Sequence, residues 1–168
     1  MAAGSTYTPI ATTTLGSASN SITFSSISGS YTDLVLVMNY GMTSGTSTPA
    51  WRYNGDTSGS TLYSQTILTG DGSSASANRI TIGNLHITMG YTNSSSITAN
   101  SIIHIMNYSN TTTYKTSLAR GNSTNNSTQA SACLYRSTSA ITSINVFPDY
   151  ATTFVAGSTF TLYGIAAA

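Results

Sequence analysis

Glutamate is absent from this 168-residue chain, and other charged residues are scarce. Five bases (Arg52, Arg79, Lys115, Arg120, Arg136) face four acids (Asp33, Asp56, Asp71, Asp149), so charge makes up 5% of the sequence. An average soluble domain carries roughly 25%. A net charge of +1 leaves no electrostatic footprint for a phosphate backbone, so nucleic acid is not an expected partner. The near-absence of Glu, Lys and Gln, the usual solvent-facing helix formers, argues against a helical protein. Cys133 is the one cysteine, so no internal disulfide is possible and no oxidising compartment is required. The longest apolar run, Leu34 to Met38, falls far short of the ~20 residues of a membrane helix. Met1 to Thr6 has neither the basic segment nor the apolar stretch of a signal peptide. The expectation is a chain made in a cytosol and not anchored in a membrane.

What is abundant is hydroxyl. Ser (29) and Thr (30) supply about a third of the residues, yet 39% are hydrophobic, Tyr reaches 11 and Pro only 3. Disordered chains pair low hydrophobicity with high net charge, and this one does neither. At this length one compact domain is expected, hiding about 70% of its extended surface. A surface hydrated by hydroxyls and amides is desolvated without stripping water from ions, which costs several kcal/mol per charge. The composition therefore suits a chain packed against copies of itself or other proteins.

Turn signals recur every 8–12 residues or so, as in β-sandwiches and barrels. Tyr7 to Leu15 reads as an extended Thr-rich segment with Pro9 near its start, as an edge or first strand tolerates, and residues 1–19 as an N-terminal arm preceding a domain over 20–168. Tyr31 to Met42, with an unbroken apolar centre, reads as a strand buried on both faces. Asn54-Gly55-Asp56 is a strong turn signal. Thr61 to Thr69 fits neither helical nor strand period cleanly, and Arg79 to Ile82 with Leu85 to Met89 reads as paired or broken strands around Gly83-Asn84. Ile102 to Met106 is a second apolar run, and Ile141 to Phe147 and Thr159 to Ile165 alternate. Ten or eleven strands without a fixed-period repeat predict an all-β, single-domain antiparallel β-sandwich, with a jelly roll as the best fit.

Candidate chemistry is thin. His86 and His104 sit inside apolar strand runs, and no spacing joins them with Cys133 into the three or four ligands a metal needs. The four Asp lie at turns or strand entries, where carboxylates cap backbone amides. Neither Asn54 to Gly59 nor Gly70 to Ser73 matches a calcium loop. No G-x-S-x-G elbow, P-loop or dinucleotide fingerprint occurs. The sequence thus predicts no enzyme, no metal and no cofactor. Trp51, Tyr7, Tyr31, Tyr91, Tyr108 and Tyr114 are the candidate interface or glycan contacts, because rings with a polar tip are enriched at such surfaces. The competing reading closes the ends of a sandwich with them.

Several segments in order carry a resemblance. They are Ile22-Thr23-Phe24-Ser25-Ser26-Ile27, Tyr31-Thr32-Asp33-Leu34-Val35-Leu36, Arg52-Tyr53-Asn54-Gly55-Asp56 and Gly70-Asp71-Gly72-Ser73-Ser74. Asn107-Tyr108-Ser109-Asn110-Thr111 with Tyr114-Lys115-Thr116, Ala140 to Ile144, and Gly157 to Ile165 (GSTFTLYGI) continue the pattern. From Ile22 to Ile165 the chain resembles small structural proteins of tailed-bacteriophage virions, while its Ala166 to Ala168 ending departs from the more basic tail of that group. The resemblance implies a virion structural protein, with the Asn-Gly-Asp segment as a structural turn and no catalytic residue to carry over. The expectation that follows is a capsid decoration (cement) protein, a homotrimer bound to the major capsid protein or other virion proteins. The alternative is a tail-fibre, tail-tip or head-fibre module binding host glycan through Trp51 and nearby Tyr.

Overall fold

A computed structural model describes residues 6–43, 47–59, 61–81, 83–88, 96–97, 99–122 and 127–166. Among these no helix occurs, and twelve strands form two antiparallel sheets. They are β1 (Tyr7–Thr14), β2 (Ile22–Phe24), β3 (Asp33–Tyr40), β4 (Pro49–Tyr53), β5 (Tyr63–Gly70) and β6 (Ala75–Ile80). The rest are β7 (His86–Ile87), β8 (Ala99–Met106), β9 (Lys115–Asn122), β10 (Thr128–Tyr135), β11 (Ile144–Pro148) and β12 (Thr159–Ile165).

The eight-stranded sheet runs β1-β12-β3-β8-β9-β10-β5-β6 and the four-stranded sheet β2-β11-β4-β7. Set aside the hairpin strands β5, β6, β9 and β10, and the remaining eight stand as β1-β12-β3-β8 in one sheet and β2-β11-β4-β7 in the other, the strand order of a jelly roll. The two extra pairs extend one sheet only.

Alternation explains the core. Phe160 and Leu162 of β12, Leu36 and Met38 of β3, and Ile103 and Ile105 of β8 point inward from the large sheet. They meet Ile22 and Phe24 of β2, Trp51 and Tyr53 of β4, and Ile144 and Val146 of β11. Burying each large apolar side chain stabilises the fold by about 1.5–3 kcal/mol. As the large sheet outruns the small one, its inward face turns polar. β9 and β10 bury Ser117, Gln129, Ser131 and Cys133, and β6, the last strand, is exposed on both faces except for half-buried Ile80.

One sequence expectation, the N-terminal arm, needs correction. Residues 7–14 are no arm: β1 is the edge strand of the large sheet, paired with β12 from Tyr7↔Ile165 to Thr14↔Thr159. Ile10 and Leu15 pack on the core, and Ser19 bridges Phe154. The segment is the edge strand that its Pro9 allows, and what moves is the boundary: the domain starts with it rather than at residue 20. Residues 1–5 lie outside the described residues. Of the paired or broken strands expected around Gly83-Asn84, the broken form is present: β6 pairs with β5 in one sheet and β7 with β4 in the other.

Asn54 and Gly55 both adopt positive φ (53° and 65°), and the Asp56 N–H donates to the Tyr53 C=O at 2.9 Å. Asn tolerates this conformation, and its amide has a second task. Asn54 Oδ1 accepts from the N–H groups of Thr142 (2.8 Å) and Ser143 (3.2 Å), while Nδ2 donates to the Ala140 C=O at 2.9 Å. One turn residue thereby holds the strand entry to β11. Asn54→Ala is expected to cost about 2–4 kcal/mol in chemical denaturation, and Asn54→Gly to recover about 1 of that by relieving the backbone alone. Equal losses in the two variants would contradict this division.

Candidate functional site

The outward face of the eight-stranded sheet is the candidate. Antiparallel partners directly opposite one another share a face, so the registers define rows across it. One row reads Tyr163, Val35, His104, Leu118, Ala132, Thr66, Arg79. The next reads Thr161, Val37, Ile102, Arg120, Ala130, Leu68, Ala77. A solvated sheet face normally carries polar side chains at these positions. Here Leu68 is 58% exposed, Leu118 52% and Tyr7 52%. They flank a groove of about 500 Å³ floored by Val35, Ile102, Ala130 and Ala132. A second groove of about 630 Å³ shares Leu68, Arg120 and Ala130 with the first and runs on to Ala75 and Ala77 of β6. Contiguous exposed apolar surface of this kind marks an interaction site.

Charge on the face is specific. Among the described residues all four carboxylates accept a backbone N–H. Asp33 takes Asn107 (2.8 Å), Asp56 takes Ser58 (3.0 Å), Asp71 takes Ser73 and Ser74 (2.8 and 2.7 Å), and Asp149 takes Thr48 (2.9 Å). The Ser58 hydroxyl lowers the Asp56 carboxyl, and the Ser74 and Ser73 N–H groups hold the Asp71 carboxyl well below the usual range. Of the cations, Arg52 donates to the Asn84 C=O (2.8 Å) and lies 4.9 Å from the Phe147 ring. Arg136 donates to the Thr61 C=O (2.7 Å), and buried Lys115 donates to the carbonyls of Thr113 and Thr138 (2.9 and 3.1 Å). Arg79 and Arg120 have no ion pair or hydrogen bond among the described residues, and both belong to the rows of the apolar face. At its β3 end, His104 Nε2 lies 2.8 Å from Asp33 Oδ2. The surface is therefore an apolar floor with two guanidinium groups still open to an acceptor.

Of the ring residues singled out by sequence, Tyr7 lines the groove, set edge-on to Tyr163 with centroids 6.2 Å apart. Tyr114 is exposed in the loop before β9, away from the groove lining, and Tyr91 lies outside the described residues. The others are corrections. Trp51 is fully buried, its indole N–H donating to Tyr53 Oη at 2.9 Å, because β4 lies inside the small sheet and alternation turns Trp51 toward the core. Tyr108 is fully buried, and its hydroxyl donates to the Ser28 C=O, pinning that loop. Tyr31 is half-buried over Gly164, where a Cβ would fall 2.3 Å from the Tyr31 Cγ. These rings close the sandwich. The residues missed were Leu68, Leu118, Ala130, Ala132 and Arg120. Their signal was adjacent apolar pairs such as Ile67-Leu68 and Ile102-Ile103, which put hydrophobe on both faces of a strand.

Behind the face, Trp51, Tyr53 and Tyr63 surround His86, and Tyr135 packs against Tyr53 and Tyr63. Tyr53 donates to Ser117 Oγ at 3.2 Å and Tyr63 to the Tyr53 C=O at 3.3 Å. His86 is buried, with no hydrogen-bond partner for either ring nitrogen among the described residues, and desolvation drops its pKa from 6.5 to about 3. Among the described residues no three His, Cys, Asp or Glu side chains come together as a metal site.

Cys133 is buried beside Gln65, and burial pushes its thiol up to about 12. Because the thiolate is the nucleophile, the folded protein is expected to react with a thiol reagent at pH 8 about a thousandfold more slowly than the denatured chain. Labelling at the denatured rate would show that β10 opens freely. No family model, curated protein or solved structure matches this chain.

Proposed function

We propose that this protein is a structural subunit that works by docking, and that its place is a tailed-phage particle, as a capsid decoration protein. The observation that carries the docking reading is the outward face of the large sheet. Leu68, Leu118 and Tyr7 stand more than half exposed around an apolar groove on a chain with very little charge. The phage setting rests on the sequence resemblance.

The partner surface would present apolar side chains and a carboxylate or carbonyl to meet Arg120 and Arg79. A guanidinium in a desolvated patch is stable only when its donors are answered. Cementing a shell asks for no chemistry beyond this burial: a standard interface hides about 1,600 Å², and repetition over a shell multiplies it. The glycan-binding alternative named Trp51 and nearby Tyr; Trp51, a ring inside the core, cannot stack on a sugar, which leaves that reading the exposed Tyr7 and Tyr114.

Quantifying the protein in purified particles tests the reading. A copy number on the scale of the shell's own subunits is expected. A copy number on the scale of a single tail organ would contradict decoration and favour a fibre or tail-tip role.

A further inference from the structure

The four sheet edges are not alike. Unpaired edge strands invite pairing with another chain, and natural proteins blunt them with proline, bulges, charge or shortness. β1 carries Pro9 and a register shift between Pro9 and Ala11. β2 has 3 residues and β7 has 2. β6 has neither proline, bulge nor shortness, and its one charge, Arg79, stands next to its end. It pairs in unbroken register with β5 from Gln65↔Ile80 to Gly70↔Ala75 and contains no proline. Ala75 to Arg79 are exposed, and no strand among the described residues pairs with the far side of β6. Alternate backbone N–H and C=O groups along it point away from β5.

We propose that two copies of the chain join through β6, antiparallel about a two-fold axis at Ala77, so that the two large sheets become one. The sequence of β6 selects this partner and register. A two-fold axis that makes antiparallel neighbours stands normal to the sheet, so outward residues must oppose outward residues. Centring on Ala77 sets Ala77 against its own copy, Arg79 against Ala75, and Ser76 against Asn78 on the opposite face. No arginine meets arginine, the small side chains let the backbones approach, and the polar pair can exchange hydrogen bonds. The second apolar groove, which reaches Ala75 and Ala77, would then continue across the axis into its copy. This contact uses the edge rather than the face of the sheet, so it stands or falls separately from the docking reading.

Five opposed residue pairs bury much less than the ~1,600 Å² of a standard interface, so the dimer is reversible, with a dissociation constant on the order of tens of micromolar. Sedimentation velocity across that concentration range is the test, using wild type, Ala77→Lys, Ala77→Glu and an equal mixture of the two variants. Position 77 is exposed, so both variants keep the monomer fold. Wild type should pass from monomer to dimer, each variant should raise the dissociation constant about two- to fivefold by placing like charges on the axis, and the mixture should dimerise again. Wild type that stays monomeric or forms a trimer, or variants that dimerise as wild type does, would overturn the proposal. Loss of particle binding with this dimer intact would count against the docking reading alone.

Discussion

Acidifying a solution of this protein from pH 7 to pH 4.5 should remove about 2–3 kcal/mol of folding stability through His86 alone. The native imidazole titrates near 3 and the unfolded one near 6.5, so between those values the unfolded chain binds a proton that the native state refuses. Stability therefore falls as pH drops through 6.5, at up to about 1.4 kcal/mol per pH unit, and levels off below about 3. The cause is a ring enclosed by Trp51, Tyr53 and Tyr63, where an imidazolium would have no counter-charge. In thermal melts this corresponds to roughly 5–10 °C between pH 7 and 4.5. His86→Leu, of similar volume and with no orphaned nitrogen, should abolish the slope over pH 4.5–6.5 and hold or raise stability at pH 7. Below about pH 4 the lowered carboxyls of Asp56 and Asp71 add their own loss, because they must be protonated against the hydrogen bonds that favour their ionised forms. A melt that is flat from pH 7 to 4.5 in wild type would refute the buried, neutral histidine.

The other large effect belongs to the apolar face. Leu68→Glu combined with Leu118→Glu should weaken binding to particles stripped of this protein by at least about 100-fold. Two buried leucines contribute about 2 kcal/mol each, and the new carboxylates would have to be desolvated in their place. Neither change touches the core: both side chains are more than half exposed, and each new carboxylate lies near Arg120 on the same face. The melting temperature should stay within a few degrees of wild type. Undiminished binding would move the docking surface elsewhere; a collapsed melting temperature would mean these leucines serve the fold.

Much of the architecture was legible in the residues. Alternation in Thr159 to Ile165 and in Ile144 to Pro148 maps onto inward and outward positions of β12 and β11, and Asn54-Gly55 makes the left-handed turn its dipeptide announces. Local chemistry decides such features, so a linear reading finds them. What failed depends on pairing at a distance. Tyr7 to Thr14 belongs to the domain rather than to an arm because β12 supplies its hydrogen-bond partners nearly 150 residues later, a pairing its own side chains do not announce. His86 sits in the core since β7 pairs with β4 beside Trp51, while β6, a few residues earlier, belongs to the other sheet.

The candidate face was half visible. Tyr31 to Met42 reads as a strand covered on both sides and Ile102 to Met106 as a second apolar run, and in β3 Val35 is indeed buried on the outward face beside the groove. Sequence did not show that β9, β10 and β5 continue the same face with Leu118, Ala130, Ala132 and Leu68. Only the register aligns those residues. Aromatic residues drew attention instead, and most of them close the sandwich from inside.

A density map of the assembled particle, at a resolution that separates the two sheets of this protein, tests the central claim most directly. The face bearing Leu68, Leu118 and Arg120 is expected to be buried against a neighbouring subunit, with an acceptor opposite the guanidinium. Finding that face open to solvent while β2, β11, β4 and β7 carry the contact would contradict it.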